Sequence, residues 1–343
     1  MARTYREAGV DREEAERAVE RIARAAAATL TPAVLGGVGG FGGLFRFDTT
    51  THPDPVLVSS TDGVGTKLKV AVALGRHDTI GIDLVNACVN DVAVCGADPL
   101  FFLDYLAIGD LSADAVAEIV GGVAAGCAVA GIPLIGGETA QMPDLYRDGD
   151  YDLAGFAVGV VAHADLIDGS RARAGDAVIG LPSSGLHTNG YSLARRVLPE
   201  PTWMEPMPDN GHTVGDALLE PHRSYLDEVR ILRRALREAG GDIHALAHIT
   251  GGGWEGNVPR TLPDGLGAKI ETGSWPVPPI FSLLQSRGDI ADEEMVRTFN
   301  LGIGMTAVVP AELADAGVAA VGDAHRIGTV VEVAHGVGRV LFE

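Results

Sequence analysis

The fold of this chain follows from one stretch, Val56-Leu-Val-Ser-Ser-Thr-Asp-Gly-Val-Gly-Thr-Lys67. It begins as a short apolar strand and then offers a carboxylate, glycine amides, a hydroxyl and a cation within one loop. These groups suit a phosphate-binding loop, in which Asp62 holds a hard cation and the amides and Lys67 bind oxygens. The competing interpretation is an Asx-type turn that Asp62 caps.

Apolar strands and amphipathic helices alternate on both sides of this stretch, and a polar segment at 165–175 interrupts them. The first half predicts helices over 11–24, 79–95 and 112–130 (capped by Ser112) and strands over 101–108, 132–135 and 152–162. The second half predicts strands over 177–181, 268–271 and 301–309 and helices over 191–198, 214–238 and 279–287. We therefore expect an α/β (α+β-like) fold of two domains, 1–168 and 169–343.

The composition excludes several classes of protein. The chain has 343 residues and a net charge of -20, which disfavours the basic surface that nucleic-acid binding requires. An acidic protein that binds phosphate needs local positive charge, and a divalent cation can supply it. Three cysteines without CxxC spacing indicate reduced, buried thiols. Without a signal-peptide region or an apolar run of membrane-spanning length, we expect a cytoplasmic protein that binds no membrane.

Three acids in the first half are candidate Mg²⁺ ligands: Asp62, Asp91 and Glu138. Asp91 lies on the predicted helix 79–95, which is otherwise mostly apolar, and Glu138 follows a buried strand and two glycines. Mg²⁺ prefers a few carboxylates together with phosphate oxygens. Asp83 and Asn86 share the same helix, and for them a structural hydrogen-bond network is an equally good interpretation.

Two glycine turns in the second half are candidate anion sites. Leu181-Pro-Ser-Ser-Gly-Leu-His-Thr-Asn-Gly190 follows a strand and opens a helix, so amides and serine hydroxyls can meet phosphate. His187 in this turn is a candidate acid or base, although a lone loop histidine is more often a hydrogen-bonding residue. His248-Ile-Thr-Gly-Gly-Gly253 is the second turn. Glycines 37, 39 and 42 fit GxGxxG but follow a helix, so they do not predict a dinucleotide fold.

These runs closely resemble the aminoimidazole ribonucleotide synthetase family. The matches follow the family's order over almost the whole chain: Ser60-Thr-Asp-Gly-Val-Gly-Thr-Lys-Leu68, Gly81-Ile-Asp-Leu84, Cys88-Val-Asn-Asp91, Pro99-Leu-Phe-Phe-Leu-Asp-Tyr105, Gly136-Gly-Glu-Thr-Ala140, Ser183-Ser-Gly-Leu-His-Thr-Asn-Gly-Tyr191, His248-Ile-Thr-Gly-Gly-Gly253 and Arg297-Thr-Phe-Asn-Leu-Gly-Ile-Gly-Met305.

The resemblance implies a PurM-type fold whose N-terminal domains form a barrel-like sheet across a homodimer. It implies a ligase of purine biosynthesis that converts formylglycinamidine ribonucleotide and ATP, with Mg²⁺, into 5-aminoimidazole ribonucleotide, ADP and phosphate. Implied catalytic residues are Lys67, Asp91 and His187, and implied metal ligands are Asp62, Asp91 and Glu138. Implied ATP contacts are Asp62, Gly63, Gly65, Thr66, Lys67, Gly136, Gly137 and Glu138. Implied substrate contacts are Ser183, Ser184, Gly185, His187, Asn189, Thr250 and Gly251.

The chain departs from the family's pattern at a few positions. Ala23 stands where lysine is common, Gln141 stands where glutamate is usual, and Pro221-His-Arg-Ser-Tyr225 differs from the usual threonine-containing version. Selenophosphate synthetase, the hydrogenase-maturation member and thiamine monophosphate kinase match less well, because their own cysteine or loop motifs do not correspond. A catalytically silent nucleotide-binding paralog in a purine-enzyme assembly is the alternative from another functional class.

Overall fold

A computed structural model describes residues 12–37, 40–208 and 211–343 of the chain. They divide into two compact units: the first contains residues up to 92 and 98–163, and the second contains 93–97 and 164–343. The division therefore falls at 163/164, whereas the sequence predicts it at 168/169. A five-residue segment, 93–97, belongs to the second unit and consists of the last residue of α3 and the connection to β2, both defined below.

The first unit is a four-stranded sheet with helices. Its strands are β1 (Pro55–Gly63), β2 (Asp98–Ile108), β3 (Leu134–Gln141) and β4 (Tyr151–Ala162), in the spatial order β1-β4-β2-β3. Its helices are α1 (Arg12–Ala27), α2 (Leu68–Leu74), α3 (Ile80–Ala93) and α4 (Ala113–Ala130). The β2–β3 pair is parallel and the other pairs are antiparallel. β1 and β3 are therefore the two edges of this sheet.

Helix α4 begins and ends as the sequence predicts. The Ser112 hydroxyl accepts a hydrogen bond from the Ala115 amide (3.2 Å), and Gly131 closes the helix at a φ of 71°. One expectation is corrected here, because this 18-residue helix is long and apolar enough to cross a membrane. However, 56% of it is buried inside the unit, as in the core helix of a folded domain.

Helices α3 and α4 touch through glycines. A Cβ added at Gly81 would lie 2.1 Å from the Val123 amide nitrogen, and one at Gly122 would lie 2.6 Å from the Asp78 carbonyl oxygen. A Cβ at Gly126 would lie 2.9 Å from the Val85 side chain. The backbones of the two helices therefore approach more closely than ordinary side chains allow.

The two faces of the first sheet differ. Phe102 and Leu106 of β2 are fully buried on the face that meets the helices. On the opposite face, Leu57, Tyr105 and Phe156 are 66%, 36% and 45% exposed, although they are large and apolar. The strand register places these three on one side of β1, β2 and β4. We call this side the open face.

The second unit contains a six-stranded sheet in the order β10-β7-β9-β5-β8-β6. Its strands are β5 (Ala177–Pro182), β6 (Ala245–His248), β7 (Leu266–Ile270), β8 (Ile303–Val309), β9 (His325–Glu332) and β10 (Val340–Phe342). Its helices are α5 (Tyr191–Val197), α6 (Val214–Leu219), α7 (Leu226–Glu238), α8 (Gly253–Asn257), α9 (Pro279–Gly288), α10 (Asp292–Thr298) and α11 (Ala314–Val321). Two apolar clusters form its core, one around Trp254 and one around Tyr225.

Candidate functional site

The acid–glycine stretch of the first unit is more regular than its sequence predicts. Residues 59–63, expected as a loop, continue strand β1, and Gly65–Lys67 then forms a 3₁₀ turn that leads into α2. Asp62 Oδ1 accepts a hydrogen bond from the Gly63 amide, one residue on, at 2.8 Å, whereas an Asx turn would use the amide two residues on. Antiparallel pairing with β4 extends the strand to Gly63, so this pairing overrides the loop character of the local residues.

Asp62 and Asp91 lie near each other around Cys88. Ser60, on the same side of β1 as Asp62, donates a hydrogen bond from its hydroxyl to Asp91 Oδ2 (3.1 Å), which ties the strand to α3. Burial raises the pKa of the Cys88 thiol, and the charges of Asp62 and Asp91 raise it further, so both carboxylates are close to that sulfur. Both acids are partly buried. The structure therefore brings two of the three predicted metal ligands together.

Lys67 is placed differently from a phosphate ligand. Its side chain is fully buried, and Nζ donates to Asp83 Oδ1 at 2.8 Å, with Asp83 also fully buried. The structural interpretation of Asp83 is confirmed by this ion pair. In the state described here, the ammonium group neutralises a core carboxylate.

Glu138 lies away from the other two acids. It is exposed on β3, at the opposite edge of the sheet from Asp62. Three strand spacings separate these edges, which is about 14 Å. With Gly136, Gly137 and Tyr105, Glu138 lines a cavity of about 500 Å³ that reaches the open face.

Asp104 is a functional candidate that the sequence analysis missed. It lies on β2 beside Gly137, and a Cβ at Gly137 would be only 1.9 Å from Asp104 Oδ1, so the carboxylate occupies the space that this glycine leaves. Burial raises the pKa of Asp104 from 3.8 to about 7. The available signal was one acid inside the apolar run Phe101-Phe-Leu-Asp-Tyr-Leu106.

The serine turn of the second unit is held by Asn300. Ser183 Oγ donates to Asn300 Oδ1 (2.9 Å), and Asn300 Nδ2 donates to the Gly185 carbonyl (2.8 Å). The Ser184 hydroxyl donates to the Pro221 carbonyl. Asn300 belongs to the quoted Arg297–Met305 run, but local sequence does not reveal that it reaches residues more than a hundred positions away.

His187 belongs to that turn, and its side chain lies in the interior of the unit. It is fully buried and has a φ of 63°, a left-handed conformation that costs a non-glycine residue about 1 kcal/mol. Its ring stacks on His222 with centroids 4.0 Å apart, and His222 Nε2 lies 2.9 Å from His248 Nε2. His222 was missed as a site residue because nothing near it in sequence predicts this cluster.

The second glycine turn is organised by Asn257. Its amide nitrogen donates to the carbonyl of Gly253 at 2.7 Å and to those of Thr250 and Gly251 at 3.3 and 3.2 Å. Asn189 of the first turn lies beside Gly251 of the second turn, since a Cβ at Gly251 would be 3.3 Å from Asn189 Oδ1. The two predicted turns of this unit are therefore neighbours, as one binding site requires.

Comparisons with known proteins identify the same two halves. The family model described as "AIR synthase related protein, N-terminal domain" matches residues 42–161, and its C-terminal counterpart matches 173–340. Relatives called phosphoribosylformylglycinamidine cyclo-ligase are similar over nearly full length. The one from Desulfitobacterium hafniense is 54% identical, covering 92% of this chain and 91% of its own length. Those from Anaeromyxobacter dehalogenans and Sorangium cellulosum are 56% and 53% identical, covering 90% and 100% of this chain and 89% and 98% of theirs.

Solved structures share the architecture at low identity. Hydrogenase maturation protein HypE in complex with ATP has a TM-score of 0.66 at 19% identity, covering 97% of this chain and 92% of its own. Thiamine-monophosphate kinase from Stenotrophomonas maltophilia has a TM-score of 0.65 at 19% identity, covering 95% and 96%. Together with the family models, these matches confirm the predicted two-domain α/β fold class.

Proposed function

This chain belongs to the phosphoribosylformylglycinamidine cyclo-ligase family, and on that premise we propose that it makes 5-aminoimidazole ribonucleotide. The substrates are formylglycinamidine ribonucleotide and ATP, and the other products are ADP and phosphate. The observation that carries this assignment is 53–56% identity to such cyclo-ligases over most of both chains. Similarity at this level, with matches in both domains, favours the enzyme over the silent paralog.

The reaction has two steps. The formyl oxygen attacks the γ-phosphorus of ATP, the bond to the β,γ-bridging oxygen breaks, and ADP leaves. A nitrogen of the substrate then attacks the activated formyl carbon, the carbon–oxygen bond breaks, and phosphate carries the oxygen away. Two protons leave the substrate in all, one from the formamide nitrogen as its oxygen is phosphorylated and one from the attacking nitrogen as phosphate departs. A methylene proton then moves to the imine nitrogen, which completes the aminoimidazole ring. Holding the tethered nitrogen against the carbon gives the protein its largest entropic contribution.

Asp62 and Asp91 fit a magnesium site. They are two partly buried carboxylates near one sulfur, with a serine hydroxyl beside them, which is the hard oxygen donor set that Mg²⁺ prefers. When bound, Mg²⁺ would offset negative charge on the transferring phosphoryl group. We assign Asp62 and Asp91 to hold the metal and the amides of Gly63 and Gly65 to face ATP phosphates. Thr66, exposed on the turn, would contribute its hydroxyl.

We propose that Glu138 serves an ATP site only in a homodimer. It lies at the opposite edge of its own sheet from Asp62, on the cavity that reaches the open face. The exposed apolar side chains of that face, Leu57, Tyr105 and Phe156, are what a second copy would cover. Light scattering at micromolar concentration should give twice the chain mass, and a monomer would contradict this assignment.

The second unit supplies the candidate substrate site. Ser183, Ser184, Gly185 and Asn189 border one turn, and Thr250 and Gly251 belong to the neighbouring turn. Their amides and hydroxyls suit a phosphorylated ribose. His187, a buried residue of the first turn, would act by positioning the other residues of that turn. A purine-pathway enzyme of this kind would work in the cytoplasm.

The decisive experiment measures phosphate release with purified chain. Release should require ATP, magnesium and formylglycinamidine ribonucleotide together, and one 5-aminoimidazole ribonucleotide should form for each phosphate. ATP binding without substrate-dependent release would favour the silent paralog. Release without the aminoimidazole product would indicate a different acceptor for the phosphoryl group.

A further inference from the structure

Three histidines from separate segments of the second unit meet in its interior. His187 follows β5, His222 precedes α7, and His248 ends β6. Their exposures are 0%, 1% and 6%, and one ring nitrogen from each lies within 4.8 Å of the others. Three imidazoles from separate parts of the chain form a set of nitrogen donors, and the cyclisation reaction does not require such a set.

We propose that His187, His222 and His248 form a binding site for a first-row transition-metal ion such as Zn²⁺ or Co²⁺. Neutral imidazole suits these borderline ions, whereas Mg²⁺ requires oxygen ligands. The site is therefore distinct in chemistry from the carboxylates of the first unit. It does not rest on the proposed function, because the three rings are present whatever the reaction.

The histidine tautomers suit this role. His222 Nε2 and His248 Nε2 are 2.9 Å apart, so in the metal-free chain one of them carries the hydrogen that the other accepts. A metal needs the lone pairs of both, which moves that proton to the far nitrogen of its ring. His222 Nδ1 lies 3.3 Å from Thr188 Oγ1, a hydroxyl that can accept the resulting N–H bond. Such an outer hydrogen bond fixes the orientation of a metal-binding imidazole.

Only modest movement is required of two of the rings. Ligands about 2.0–2.1 Å from a tetrahedral ion are about 3.3–3.4 Å apart, so His222 and His248 must separate by about half an ångström. His187 moves most, because its ring stacks on His222 at an interplanar angle of 17° and must turn its nitrogen inwards. Gly304 leaves the room that this ring occupies, since a Cβ there would lie 2.4 Å from His187 Cε1. A water molecule would complete the coordination.

The test is metal binding to the full chain without substrate. Protein treated with EDTA and then dialysed is titrated with Co²⁺, followed by visible absorption, and then with Zn²⁺ in competition with a chelator. We expect one ion per chain with tetrahedral Co²⁺ bands. His222→Gln keeps an amide that can bond to His248 but removes a ligand, and it should weaken binding by about 100-fold or more.

Matched variants separate this site from adventitious binding. His222→Cys supplies a different ligand and should restore binding with a new sulfur-to-cobalt charge-transfer band. Thr188→Val should weaken binding by about 10-fold through the outer hydrogen bond. His335→Gln removes an exposed histidine outside the cluster and should change nothing. If no stoichiometric ion binds, or if His222→Gln binds as the unaltered chain does, the cluster is only a hydrogen-bonded imidazole pair and the proposal is wrong.

Discussion

Helix α3 carries two aspartates, eight positions apart, whose surroundings differ. Asp83 is fully buried and meets the ammonium group of Lys67 at 2.8 Å. Asp91 is partly buried, accepts a hydrogen bond from the neutral Ser60 hydroxyl, and lies near a second acid, Asp62. One carboxylate is neutralised by the chain itself, and the other belongs to a cluster of like charge.

The difference predicts a stabilising role for Asp83 and a chemical role for Asp91. A buried ion pair is costly to break, because removal of one partner leaves an uncompensated charge in the core. Two neighbouring carboxylates repel, and an external cation relieves that repulsion. Stability should therefore depend on the Lys67–Asp83 pair, and activity should depend on Asp91.

The largest expected effect is on Lys67. Lys67→Met should lower the free energy of unfolding by about 3–5 kcal/mol, measured by urea denaturation, because Asp83 remains buried and charged. Lys69→Met is the matched control: Lys69 is 46% exposed and paired with Asp150, so its loss should cost at most about 1 kcal/mol. Unchanged stability with abolished ATP turnover would instead make Lys67 the phosphate ligand that the loop pattern predicts.

Asp91→Asn should leave the fold intact and reduce formation of 5-aminoimidazole ribonucleotide by about 100-fold or more, as for loss of a major electrostatic contact in the transition state. Product formation across a magnesium titration, with thermal melts with and without Mg-ATP, measures both properties. Asp110→Asn, at an exposed position, serves as the control. A variant that unfolds, or one that turns over normally at low magnesium, would show that Asp91 is structural like Asp83.

Asp104 extends the comparison to a third acid on the helix-covered face. Its folded pKa of about 7 lies above the ordinary 3.8, so between these values the native state binds a proton that the unfolded chain has lost. The free energy of unfolding should therefore fall as pH rises through this window, by up to about 1.4 kcal/mol per pH unit. Asp104→Asn should flatten the slope in denaturation curves from pH 5 to 8. An unchanged slope would mean that Asp104 stays ionised.

The smallest expected effect is a partial recovery of activity, which tests whether Glu138 of one chain and Asp91 of a second chain belong to the same ATP site. Chains carrying Asp91→Asn and chains carrying Glu138→Gln should each be weakly active alone. When they are co-expressed, half of the dimers are mixed and each contains one intact site, so activity should recover to about a quarter of normal. Recovery should be absent when chains carrying Asp62→Asn replace those carrying Glu138→Gln. Asp62 and Asp91 of one site come from the same chain, so every site in a mixed dimer then lacks one of the two carboxylates. No recovery with Glu138→Gln would place all three acids within one chain's site.

Helices and strands could be predicted from the sequence where the hydrophobic periodicity was strong. Helix α4, its Ser112 cap and the core strands β2, β4 and β5 lie close to their predicted bounds. Short elements near the end of the chain, β9, β10, α10 and α11, were not predicted, because runs of three to eight residues carry little periodic signal. Strand β1 was predicted too short because pairing with β4, rather than local sequence, sets its end.

Individual residues of the candidate site could be predicted from the sequence, but their spatial arrangement could not. The acids and glycine turns were found because they interrupt apolar runs. Sequence could not show that Lys67 turns inward to Asp83, that Glu138 lies at the far edge, or that His222 stacks on His187. Those facts depend on strand order and long-range packing. The site assignments themselves stay predictions until the variants are measured.

The close contact between α3 and α4 sets a limit on how this protein can vary. Gly81, Gly122 and Gly126 carry no side chain that could do chemistry. A methyl group at any of them would nevertheless collide with the opposite helix or with Asp78 just before α3. In a saturation library selected for growth without added purines, these positions should tolerate as few replacements as Asp91. Thermal melts would separate the two classes, because the glycine variants would be lost through instability, whereas Asp91→Asn would stay folded. A screen that records survival alone would place three packing residues within the active site.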